Sequence, residues 1–196
     1  MTLHHQNTPY TTAASSLLSI IKYLKPQETT KHQEFQIWQQ TANLPTRGSN
    51  IYALANYAKD LNPTVIVENT TYNFPDYRFY RYTKEDIELA TFTSNLHLKK
   101  AKENNIKIIT KPITFQDILT HLETHAILLR VNAKPIRNTK RNTSQYIAIL
   151  EHHNNQISIF DPTIGGLTIP ITTLKVAFES LETKKHRDHK MILFKK

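Results

Sequence analysis

The chain contains no cysteine. That absence excludes disulfides, thiolate metal sites and a cysteine nucleophile. It fits a reducing cytoplasm, the expected location, without fixing the compartment. Glycine is nearly as scarce, with Gly48, Gly165 and Gly166 the only three in 196 residues. A phosphate-cradling loop needs clustered glycines to bring backbone N–H groups onto the anion, so a nucleotide-binding enzyme of that kind is excluded. No apolar run approaches the roughly 20 residues of a membrane-spanning helix. The N-terminus lacks a basic leader followed by an apolar run and a small-residue cleavage site, and no signal peptide is expected. Acidic residues are outnumbered, 16 Asp and Glu against 25 Lys and Arg, for a net charge of +9 and a pI near 9.6. This balance favours anionic partners such as an acidic peptide, an acidic protein face or nucleic acid. A lysine-rich solvated surface without a target carries the same charge, because the basic residues are spread over much of the chain.

What is present describes a globular protein. Hydrophobic residues make up 39% and charged residues 21%, enough to bury a core, and residues 1–196 read as a single domain. Leu17, Leu18, Ile20, Ile21 and Leu24 form one helical stripe that Pro26 ends. Further helices are expected over residues 30–42, with Phe35, Ile37 and Trp38 inward, and over 51–61. The second half changes character. Strands are expected at 64–68, 106–109, 126–131 and 191–194, with helices at 83–103, 114–122 and 173–181. Residues 146–151 and 156–160 read as a hairpin, and 132–144 as a polar, basic loop. Helices followed by a largely antiparallel sheet predict an α+β domain.

Several segments stand in a telling order. Gln6 is followed six residues later by Thr12, which opens T-A-A-S at a helix start. E-F-Q-I-W (34–38) and R-G-S-N-I-Y-A-L-A (47–55) come next, then S-Q-Y-I-A-I-L (144–150) and I-S-I-F-D-P (157–162). Over residues 4–170 the chain resembles the papain-like bacteriocin-leader (double-glycine) cysteine peptidases, in particular a stand-alone branch of them. The resemblance implies a papain-like fold, with N-terminal helices packed on an antiparallel sheet. It also implies a site in which a glutamine stabilises the oxyanion, a cysteine on a helix N-terminus attacks, a histidine moves the proton and a carboxylate orients it. Gln6 matches the glutamine and Asp161 the carboxylate. Thr12 stands where the cysteine belongs and Gln145 where the histidine belongs.

A threonine hydroxyl needs a positioned base, and a glutamine amide is none near neutral pH. Loss of nucleophile and base together is expected to cost on the order of 10⁴–10⁶ in rate. The reading is a catalytically inactive pseudo-peptidase, without cofactor or metal, that binds a peptide or partner protein in the remnant cleft. Plainer roles stand beside it: a surface position for Gln6, a strand-end turn for Asp161–Pro162, and a helix cap at Thr12, Ser15 or Ser16. A hydroxyl nucleophile is the second alternative, from Ser15, Ser16 or Ser19 with His4, His5, His152 or His153. The ten histidines otherwise read as solvated, since adjacent ones on a strand point to opposite faces.

Lys134, Arg137, Lys140 and Arg141 are the candidate binding residues, expected to form a basic rim at the cleft for an acidic partner. Lys184, Lys185, Arg187 and Lys190 form a second basic cluster. Tyr72, Phe74, Tyr77, Phe79, Tyr80 and Tyr82, interleaved with Arg78 and Arg81, keep nucleic-acid binding as a further alternative. The oligomeric state is left open.

Overall fold

The computed structural model describes residues 4–74, 82–181 and 187–196. The expected α+β architecture is present. Helices α1 (Thr12–Leu24), α2 (Lys31–Thr41) and α3 (Ile51–Tyr57) come first. Strands β1 (Thr64–Val67) and β2 (Lys107–Thr110) flank the long α4 (Lys84–Glu103). Helix α5 (Phe115–Leu122) and strand β3 (His125–Asn132) follow, then a short helix α6 (Lys134–Arg137). Strands β4 (Ser144–His153), β5 (Gln156–Asp161) and β6 (Gly165–Pro170), helix α7 (Ile171–Glu179) and strand β7 (Lys190–Lys195) complete the order.

The strands form one seven-stranded sheet in the order β2-β1-β7-β3-β4-β5-β6. The β1–β2 pair is parallel and the other pairs are antiparallel. Side chains alternate across it. Ala126 and Leu128 of β3 join the core under α1–α3, whereas Ile127, Leu129 and Val131 face α5 and α7. Both faces are therefore covered, a second helical layer that the sequence reading did not anticipate.

Local chemistry sets the element boundaries. Thr30–Gln33, Thr83–Asp86 and Thr114–Asp117 form reciprocal capping boxes that start α2, α4 and α5. The β4–β5 turn is Asn154–Asn155, both left-handed at φ 47° and 62°, a conformation asparagine tolerates and a two-residue hairpin requires. The strands are longer and the turn tighter than expected.

One expectation is corrected in α2. Ile37 is inward and Trp38 is half-buried against the same core, but Phe35 is half-buried outside it, and the charged Glu34 is as fully buried as Ile37 and Thr41. The segment expected as a continuous loop contains α6, and β6 was not anticipated, because it opens on Gly165–Gly166 and ends on Pro170.

Candidate functional site

Asp161, the last residue of β5, is fully buried. Because β4 runs antiparallel to β5, Gln145 near the start of β4 lies beside it and donates from Nε2 to Asp161 Oδ2 (3.1 Å). Helix α6 brings Arg137 to the same carboxylate. Its Nε donates to Oδ2 at 2.9 Å and its Nη2 to Oδ1 at 2.7 Å, and the Thr163 N–H donates to Oδ1 at 2.8 Å. Asn132 organises the connection: its Oδ1 accepts the N–H groups of Lys134 (3.1 Å) and Thr143 (3.2 Å). Arg137 is thus not an open rim cation as the sequence suggested. A fork-shaped guanidinium and a buried carboxylate satisfy each other, which leaves neither charge facing solvent. Lys134, Lys140 and Arg141 are exposed.

Gln6 is held next to this network by its main chain, whose N–H donates to the Pro162 carbonyl (2.9 Å). Its side-chain Oε1 is buried without a hydrogen-bond partner. Glu34 anchors the segment around Gln6 from α2. Its carboxylate accepts the Asn7 N–H (2.8 Å), bonds the His4 Nε2 (2.7 Å) and accepts from the Asn7 side-chain amide. Burial works against this charge, yet hydrogen bonds from Thr11, Asn7 and His4 outweigh it and hold the carboxyl below its usual range. On the other side, the His5 ring packs edge-on against Phe160, with centroids 5.9 Å apart.

Thr12 is the first residue of α1, but the cap position falls to Thr11, whose side chain makes no cap bond to the helix. The capping role expected of Thr12 is corrected accordingly. Thr12 is half-buried and shares with Gln145 the wall of a cavity of about 140 Å³. Tyr52 and Tyr146 also line it. Burial, with smaller contributions from Tyr146 and Asp188, pushes the Tyr52 phenol up to about 12, so it is a neutral hydrogen-bonding group at any physiological pH.

Of the alternative nucleophiles, Ser15 and Ser16 are engaged elsewhere, and Ser19 Oγ is buried without a hydrogen-bond partner and is not among the residues that line the cavity. Ser15 Oγ donates to the His4 carbonyl and Ser16 Oγ to the Tyr146 carbonyl (3.0 Å). The His4 imidazole faces Glu34, and His152 and His153 lie exposed at the far end of β4 from Gln145. His4 and His189 are not solvated as expected: His189 stacks on Phe178 at 4.1 Å and faces Glu68 at 3.2 Å. Among the described residues no His, Asp and Glu side chains gather in a group that could hold a metal ion, and no helix is long and apolar enough to cross a membrane.

Tyr72 lines the cavity, and Phe74 packs between Tyr72 (6.3 Å) and Tyr82 (5.0 Å). Tyr77, Arg78, Phe79, Tyr80, Arg81, Lys184 and Lys185 lie outside the described residues. Lys190 of the second basic cluster is largely buried and lines the cavity with Arg130, which the sequence reading passed over. Two signals were available. Arg130 interrupts the run A-I-L-L-R-V of a buried strand, and Glu34 falls on the inward period of α2 with Ile37 and Thr41.

A model of the Peptidase_C39 like family matches residues 1–188. Among solved structures, a double glycine motif protease from an AMS/PCAT transporter, in complex with the leader peptide, is 14% identical with a TM-score of 0.48, over 99% of this chain and 91% of that one. The peptidase domain of Streptococcus ComA, a bi-functional ABC transporter involved in quorum sensing, is 11% identical with a TM-score of 0.48, over 100% of this chain and 98% of that one. No curated protein matches the chain.

Proposed function

This chain belongs to the Peptidase_C39 like family, and from that premise we propose that it is a pseudo-peptidase, which binds a peptide or partner protein in the cleft and does not cleave it. The observation that carries the reading is the state of the Gln145–Asp161 pair. The position where the family places its histidine holds an amide that donates to Asp161 (3.1 Å), and Arg137 occupies the same carboxylate from the other side. An amide in that place takes up no proton near neutral pH and cannot activate the Thr12 hydroxyl. The frame of a catalytic site stands without the two groups that react.

What is left suits binding. The cavity beside Thr12 is walled by hydroxyls and amides that can hydrogen-bond an extended backbone. The exposed Lys134, Lys140 and Arg141 favour an acidic partner arriving at the rim, in the cytoplasm. These contacts need no cofactor.

Incubation of the purified protein with a diverse peptide library, followed by mass spectrometry, tests the claim. No cleavage is expected, with or without thiol reagents. Cleavage that survives thiol reagents and disappears in Thr12→Ala would overturn it. Binding is read by titrating peptides into isotopically labelled protein, with shifts expected at the side-chain amides of Gln145 and Asn50, both lining the cavity. Nucleic-acid binding that falls steeply with salt and leaves those amides unmoved would favour the basic-surface alternative.

A further inference from the structure

We propose that the cavity beside Thr12 and Gln145 is a carboxylate seat, in which Arg130 and Lys190 together receive an acidic side chain or a free C-terminus of the bound peptide. This rests on the peptide-binding reading above and names what the peptide must carry.

The sheet register makes the two cations neighbours. Leu129 of β3 pairs with Met191 of β7, so Arg130 and Lys190 are the next residues along the two strands. They share the parity of Leu128 and Ile192, which face the α1–α3 side. Two like charges side by side on one sheet face oppose folding, and something must offset them. Part of the offset is Asp188, whose Oδ2 lies 3.5 Å from Lys190 Nζ. Glu68 also acts on Lys190, and neither carboxylate is among the residues that line the cavity. The wall presents Arg130 and Lys190 as its only charged side chains among the described residues, and the rest of it is hydroxyl, amide and apolar.

Arg130 has donors to spare. Its Nε donates to Ser144 Oγ (2.9 Å) and its Nη1 to the Asp188 main-chain carbonyl (3.4 Å), both uncharged oxygens. A guanidinium carries five N–H groups and pairs with a planar carboxylate through two of them. The contrast with Arg137 is direct, since that guanidinium already holds a carboxylate bidentately. Lys190 carries the strain of the arrangement. Burial first, and the neighbouring Arg130 second, lower its ammonium to about 8. An anion between the two cations would restore the ordinary preference of Lys190 for its charge. The space suffices, because about 140 Å³ far exceeds the roughly 10–15 Å³ that seats one water.

The test is a titration of Lys190 by NMR at its side-chain carbon next to Nζ, on the wild-type protein. The probes are acetyl-Ala-Glu-amide, acetyl-Ala-Gly with a free C-terminus, neutral acetyl-Ala-Gln-amide, and glutarate. A carboxylate probe is expected to raise the Lys190 midpoint above about 8, and the neutral peptide to leave it in place. The first two peptides tell a side-chain carboxylate from a terminal one. Arg130→Gln and Lys190→Gln are each expected to weaken the carboxylate probes roughly ten- to a hundredfold and to spare the neutral peptide. If either variant fails to fold, the wild-type titration still decides. Equal affinity for acidic and neutral peptides with an unmoved Lys190 midpoint would overturn the seat and leave the peptide-binding reading standing. Glutarate raising the midpoint while no peptide binds would support the seat and overturn that reading.

Discussion

Arg137 holds Asp161 with two parallel hydrogen bonds of 2.9 and 2.7 Å, at a point where the carboxylate is fully buried and the guanidinium side chain is 13% exposed. Arg137→Met would leave that carboxylate charged, buried and short of its principal partner. Chemical denaturation is expected to show a loss of about 3–5 kcal/mol. Adding Asp161→Asn should recover part of the loss, because the double variant no longer buries an unpaired charge. Equal stability of Arg137→Met and the wild type would show that the pair contributes nothing.

Glu34 fixes the chain around Gln6 from a different helix. Glu34→Gln replaces an acceptor of several bonds by an amide with a single acceptor oxygen, at an expected cost of about 1.5–3 kcal/mol. Amide exchange at Asn7, whose N–H bonds Glu34 at 2.8 Å, should accelerate more than exchange in the central strands. The pH dependence follows from the lowered carboxyl. The unfolded chain binds this proton more readily than the folded one, so the contribution is full above the ordinary glutamate range. It is lost as pH falls through the lower folded value. The Glu34→Gln variant should lack that acid-dependent component.

Gly165 turns the chain from β5 into β6 with φ +100°, and a Cβ there would lie 2.8 Å from His5 Cε1. Gly165→Ala is expected to cost about 1–3 kcal/mol in thermal or chemical unfolding. His5 is exposed and can swing away, so the backbone is the main source of the cost. Gly165→Ala combined with His5→Ala should therefore recover little. Full recovery would instead assign the cost to the ring.

Asp117 closes the capping box of α5 and also accepts from Lys111 Nζ. Hydrogen bonds from Lys111 and then Thr114 hold its carboxyl down at about 2. Its stabilisation is complete above the ordinary value of 3.8 and disappears as pH falls toward about 2. Asp117→Ala should destabilise by about 1 kcal/mol at neutral pH. Acid titration of the difference should bring the two proteins together near pH 2.

The helix starts were legible because caps act locally. Thr83 and Thr114 announce α4 and α5 by side chains that reach only three residues along the chain. The apolar strands were legible from their runs. Arg130 and Glu34 were not, because a charge inside an apolar pattern reads as an interruption until the partner that satisfies it is known. Glu34 finds His4 and Asn7 some thirty residues away. Arg137 looked like one more cation in a basic segment, and only α6 turning back toward the end of β5 brings it to Asp161.

The sequence by itself determined that no thiol chemistry is available, since the chain has no cysteine, and that helices precede a mostly antiparallel sheet. It also marked Gln6, Thr12, Gln145 and Asp161 as positions to examine together. The tertiary structure alone decided which of those positions meet. Asp161 and Gln145 bond each other because antiparallel β4 and β5 bring the start of one strand beside the end of the other. The same pairing logic sets Arg130 beside Lys190 across β3 and β7. Partners so distant in sequence are chosen by strand register, which depends on how the whole core packs and not on any local run of residues.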